Sequence, residues 1–174
     1  MTWPTHTLFG ISCLWLLAPL PMDILSYDMG TLAAVAALGA LLPDLDASES
    51  KIRHVKVPGT NFKPFLLPAQ VVHGSEQHRG LLRSLAGLGM ISLMAVPSIW
   101  WVGWTRIVAL LLGYTSHLLT DSATKTGILL LYPRMHRDYV LPKGWRITTG
   151  SLAEEAFYLP LASLVMALLL GQLS

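Results

Sequence analysis

The amino-acid sequence predicts an all-α membrane protein: about five transmembrane or membrane-embedded helices with a small irregular cytoplasmic cap, forming one domain over residues 1–174. Three observations predict it. Hydrophobic residues make up 53% of the chain and charged residues only 13%, where soluble domains carry about 25% charged residues. Five apolar runs approach the roughly 20 residues that a bilayer crossing needs. All the basic residues between those runs except Arg106 are sorted onto alternate connections.

The first run covers residues 5–20, "THTLFGISCLWLLAPL", and the second residues 29–43, "MGTLAAVAALGALLP". The third, residues 81–99, ends near Pro97, and the fourth spans residues 107–120. The fifth, "AFYLPLASLVMALLLGQL", closes the chain. The second and fourth are short for a crossing, so they need a locally thinned bilayer or extension by their polar ends. Trp100, Trp101 and Trp104 lie between the third and fourth runs, as expected of an aromatic belt at a membrane–water interface.

Residues 21–28 carry Asp23 and Asp28 and no Lys or Arg. In contrast, residues 44–83 hold Lys51, Arg53, Lys56, Lys63, Arg79 and Arg83, and residues 121–150 hold Lys125, Arg134, Arg137, Lys143 and Arg146. Five crossings put both basic segments on one side, which the positive-inside rule makes cytoplasmic, together with the N-terminus. The expected location is therefore the cytoplasmic (inner) membrane, with several passes. The first basic segment, interrupted by Pro58, Pro64 and Pro68, suits a broken amphipathic stretch on the headgroups. The second suits an irregular cap or short hairpin with a turn at "LPKGW". A formal charge of +2 is too small to argue for nucleic acid, and basic residues beside a bilayer more simply attract anionic lipid. Cys13 is the single cysteine, which excludes an intrachain disulfide and a thiolate metal cluster. No basic residue precedes the first apolar run, so no cleavable leader is expected there.

The costly polar residues gather at one end of the predicted bundle. His6 opens the first run, and Asp44 and Asp46 in "LLPDLD" end the second. His78 opens the third, His117 and Asp121 end the fourth, and Glu154 opens the fifth. On the predicted topology all lie at the cytoplasmic level. His117 and Asp121, four apart, share a helix face. Ionisable groups in membrane segments are expensive and mark function. A divalent cation offsets the repulsion among Asp44, Asp46 and Asp121, and mixed imidazole and carboxylate ligands suit zinc, manganese or iron better than calcium. Such an ion activates water for hydrolysis, and Arg79 is placed in sequence to hold phosphate oxygens.

Plainer readings compete. His6 near a helix start suits a cap, and "PDLD" suits a turn. "SLAE" is a good capping box, with Ser151 at the N-cap and Glu154 at N3. His54, His73 and His136 lie in basic segments and are expected at the surface, while Met90, Met94 and Met166 are expected to face lipid or fill the core.

The segments "THTLFGI", "LLPDLDASES", "HRGLLRSL" and "LGYTSHLLTDSATKTGILLLYP" resemble the YdjM-like family of membrane-bound metal-dependent hydrolases, associated with LexA regulation in some bacteria. The family is in turn distantly similar to zinc phospholipase C and related nucleases. The resemblance implies His6, Asp44, His78, His117 and Asp121 as metal ligands, with Asp46 a ligand or its supporting partner and Glu154 a ligand or general base. In "HRGLLRS", Arg83 stands where the family commonly has a second histidine. That departure leaves four alternatives: fewer metals, Arg83 replacing a metal's charge and binding phosphate, His73 as a substitute, or loss of hydrolysis. The expected activity is metal-dependent hydrolysis of a phosphoester, in a phospholipid or another amphiphilic phosphate, with zinc first among the metals. Asp46 and Glu154 would orient or deprotonate water, and Arg79 and Arg83 would stabilise phosphate charge. The alternative is a non-catalytic membrane protein fastened by a structural metal or an ion-pair cluster. A metal-ion carrier ranks behind both, because runs two, three and five are almost wholly apolar.

Overall fold

The computed structural model describes residues 1–17, 28–46, 80–134 and 136–170. Helix α1 spans Trp3–Ser12, with Pro4 in its first turn, where the missing N–H costs nothing. A 3-10 segment, Cys13–Leu17, follows it, so the first apolar run is not one continuous α-helix. Helix α2, Met29–Leu41, starts on Asp28, whose carboxylate accepts from the Gly30 N–H at 3.0 Å and from the Thr31 hydroxyl. It ends in a 3-10 turn, Leu42–Asp46. Helix α3, Leu85–Ala95, is capped by Ser84 and runs through the 3-10 turn Val96–Ser98 into the short α4, Ile99–Val102. Gly103, at φ 88°, breaks the chain before α5, Trp104–Ser122. Helix α6, Leu152–Leu170, contains Pro160.

Helices therefore occupy all five apolar runs. The described residues contain no strand, only isolated bridges at Thr124–Ile147 and Ile128–Asp138. Among the described residues, Leu85–Val102 alone is long and apolar enough to cross a membrane, and Met29–Leu45 is a shorter apolar helix. The expected count of about five crossings is thus not confirmed among the described residues. The physical reason is visible in α5, which is long enough but carries a polar final turn that the bundle buries.

Helices α2 and α5 form the centre and pack on each other more extensively than any other pair. Two glycines explain how closely. A Cβ on Gly39 would lie 2.1 Å from the Leu110 carbonyl oxygen, and one on Gly113 would lie 2.0 Å from that of Ala36. Only hydrogen fits at either point, and the small-residue seam lets the backbones touch. Helix α1 packs against α2, α5 and α6, while Leu14, Met29, Leu32, Ala36 and Ala109 fill the core beside it.

The cap, residues 123–151, is irregular as expected, with its 3-10 turn at Lys143–Trp145 inside "LPKGW". It also closes the end of α5. The last carbonyls of a helix lack internal partners, and here Ser122 O accepts from Val140 N at 3.1 Å and Ala123 O from Ile147 N at 3.1 Å. The helix end that carries His117 and Asp121 is thereby fixed.

Candidate metal centre

The close approach of α2 and α5 places the first candidate ligand. His117 is fully buried, and its Nδ1 lies 2.7 Å from the carbonyl oxygen of Ala40 in the last turn of α2. A carbonyl only accepts, so Nδ1 carries the proton. In the neutral ring the lone pair then belongs to Nε2, which is buried and makes no hydrogen bond.

His6 on α1 is oriented by the same logic. Its Nδ1 lies 2.8 Å from Thr120 Oγ1, and that hydroxyl donates its one proton to His117 O at 2.9 Å. The hydroxyl must therefore accept from His6, leaving His6 Nε2 as the second lone pair. The two rings stack, with centroids 3.9 Å apart and planes at 18°.

Both lone pairs meet carboxylates. His6 Nε2 lies 3.2 Å from Asp121 Oδ1, and His117 Nε2 lies 3.3 Å from Asp121 Oδ2 and 3.6 Å from Asp44 Oδ1. A lone pair facing an anion repels it unless the ring is protonated or a cation sits between them. Protonating both rings would place two stacked positive charges in a buried site. A cation held between them would meet both lone pairs, and holding each ring by a fixed Nδ1–H bond is the usual support for an imidazole ligand. His6, Asp44 and His117 each offer a ligand atom within 4.8 Å of the others. The donor set of imidazole and carboxylate fits a transition metal or zinc.

Positive groups already line the cluster. Arg83 donates through Nη2 to Asp44 Oδ1, and its Nη1 lies 3.8 Å from Asp121 Oδ2. The Met1 amino group lies 2.7 Å from Asp121 Oδ1. Tyr114, one turn before His117 on α5, donates to Leu82 O and so anchors the turn that carries Arg83.

Of the predicted site residues, the structure brings together His6, Asp44, His117, Asp121 and Arg83. His78 and Arg79 lie outside the described residues, as does the side chain of Asp46. Glu154 is buried but engages other partners: it accepts from the Thr2 hydroxyl at 2.9 Å and from the N–H of Gly150 at 2.7 Å, besides the Thr2 N–H. These bonds fasten the start of α6 to the start of α1. The capping box at "SLAE" does not form, because Glu154 reaches Gly150 rather than Ser151 and the Ser151 hydroxyl is buried without a partner. An open recess lined by Thr2, Pro4, Thr5, Glu155 and Tyr158 adjoins Glu154. His136 is exposed, as expected, and Met90, Met94 and Met166 are also exposed.

Thr120 and Tyr114 were not singled out in the sequence. Both lie three residues from His117, on or beside its helix face, and that spacing was the available signal.

An all-helical membrane protein with a buried imidazole–carboxylate cluster is the class that this fold and site define. The chain belongs to the YdjM inner membrane protein family, which matches residues 1–173. Over 140 residues it is 32% identical to Inner membrane protein YdjM of Escherichia coli (strain K12) and, equally, of Shigella flexneri, covering 76% of this chain and 66% of each relative. It thus spans slightly under two thirds of those two proteins. It is also 32% identical over 167 residues to Uncharacterized protein YvsG of Bacillus subtilis (strain 168), covering 96% of this chain and 91% of that one. No solved structure matches. The family supports an inner-membrane location.

Proposed function

We propose that this protein is a metal-dependent hydrolase of the inner membrane, acting on a phosphoester in a phospholipid or another amphiphilic phosphate at the cytoplasmic interface. One observation carries the metal: two buried imidazoles, each with Nδ1 committed to a hydrogen bond, aim Nε2 at the same carboxylate, and His117 Nε2 makes no hydrogen bond. His6, Asp44, His117 and Asp121 would hold the ion, zinc by preference, with His78 and Asp46 as further candidate ligands. Such an ion supplies Lewis acidity and lowers the pKa of bound water to about 7. The protein's own groups do the rest. Ala40 O and Thr120 keep both rings in the ligating tautomer. Asp44 lies at the rim, 16% exposed, beside Arg83, 35% exposed, so a guanidinium meets an approaching phosphate. Arg79 is a second candidate for that role, and Glu154 and Asp46 are candidates for orienting water.

The apolar surface of Leu85–Val102 supports a membrane-embedded enzyme and a substrate delivered from lipid. Elemental analysis of the purified protein beside Asp121→Ala, followed by phospholipid and phosphodiester hydrolysis assays, tests the proposal. Bound zinc in the wild type alone, with hydrolysis that follows it, supports it; equal metal content in both proteins refutes the ligand assignment.

A second reading has its own observation. Arg83 and the Met1 amino group already contact Asp44 and Asp121, so the cluster would serve as an ion-pair clasp for the helix ends. His117→Ala would then lower stability, with no metal lost and no activity to lose.

A further inference from the structure

We infer that, among the described residues, the cluster holds a single divalent ion, because the Arg83 guanidinium stands where a second cation bridged by the same carboxylates would sit. This rests on the metal reading above and deepens it.

The oxygens decide the point. Asp44 Oδ1 and Asp121 Oδ2 are the two atoms that face His117 Nε2, at 3.6 and 3.3 Å. Arg83 touches the same two, donating to Asp44 Oδ1 through Nη2 and lying 3.8 Å from Asp121 Oδ2 through Nη1. A paired-metal site uses bridging carboxylate oxygens in this way, with ions about 3.5–4 Å apart. Here one side of the oxygen pair belongs to the imidazoles and the other to a guanidinium.

The guanidinium cannot vacate the position by losing a proton, since it stays charged at any working pH. The backbone that carries it is anchored on both sides. Tyr114 donates to the carbonyl of Leu82, next to Arg83 in the chain, and Ser84 caps α3 on the other side. Charge points the same way. Arg83 and the Met1 amino group already contact the two carboxylates, so every divalent ion adds positive charge where screening by water is poor, and a second ion adds more than the first.

The test counts ions on the whole protein in detergent. Native mass spectrometry and elemental analysis after zinc loading should give about one ion per wild-type chain and about one in Arg83→Lys, which keeps the charge. Arg83→His removes the fixed charge and offers a ligand, so it should bind about two. A manganese-loaded wild type should give the electron paramagnetic resonance spectrum of an isolated ion, a reading that needs no variant to fold. Two ions in the wild type, or a spin-coupled manganese pair, overturn the inference while leaving the metal site standing. Zero ions overturn both. One ion in a folded Arg83→His shows that something other than this guanidinium sets the count.

Discussion

Helices α3 and α5 are both largely apolar and lie within one small bundle, yet their surfaces meet opposite environments. In α5 eleven residues are buried, including Ser116, His117, Thr120, Asp121 and Ser122; in α3 only Gly87 is. Leu93 and Met94 on α3 are 77% and 72% exposed. The apolar surface of α3 is directed outward, as a membrane helix should be when lipid is its solvent. The polar residues of α5 are directed inward, where other helices supply partners. The lesson is that hydropathy alone ranks these helices in the wrong order for function. The more apolar helix is the wrapper, and the helix with the compromised apolar run is the centre.

The sharpest way to break this comparison uses the same residue type on both helices. Gly113→Leu should collide with the backbone of α2 and destabilise at or above the upper end of the roughly 1–3 kcal/mol typical of overpacking, seen as a large fall in melting temperature in detergent. Gly89→Ala on α3, where a Cβ meets nothing within 4 Å, should be neutral or stabilise by up to about 1 kcal/mol through helix propensity. Equal losses would mean that α3 is packed as tightly as α5.

Next in size is the pair of hydrogen bonds that set the imidazole tautomers. Thr120→Val keeps the shape but removes the acceptor for His6 Nδ1. Zinc affinity, read by competition with a chelator, should fall about 10–100-fold. An unchanged affinity would show that His6 is not a ligand. Tyr114→Phe should cost about 1–3 kcal/mol, because the Leu82 carbonyl loses its buried donor. Smallest of all, Leu93→Ala and Met94→Ala should shift detergent stability by less than about 0.5 kcal/mol; larger losses would place α3 against protein rather than lipid.

Part of this was legible in the residues and part was not. Helices in all five apolar runs follow from hydropathy, and the shared face of His117 and Asp121 follows from a spacing of four. Asp44 is announced by "LLPDLD" because a helix must end there. The partners that orient the rings were not legible. Ala40 contributes a main-chain carbonyl, which no residue type encodes, and it reaches His117 only because Gly39 and Gly113 bring two backbones into contact. The pairing of Arg83 with Asp44 joins positions 39 apart in sequence, and nothing local predicts it. Glu154 shows the opposite difficulty: its sequence context suits a capping box and a ligand alike, yet its carboxylate bonds to Gly150 and Thr2 instead of closing the box. The number of crossings was not legible, because apolar runs of this length serve equally as buried helices.

The central claim is that two imidazoles converge on a bound cation, and the X-ray absorption spectrum of the zinc-loaded protein tests it most directly. The account predicts nitrogen and oxygen scatterers at about 2.0–2.2 Å, with outer-shell scattering from two imidazoles that falls to one in His6→Ala. A spectrum without imidazole scattering, or one that His6→Ala leaves unchanged, would contradict it.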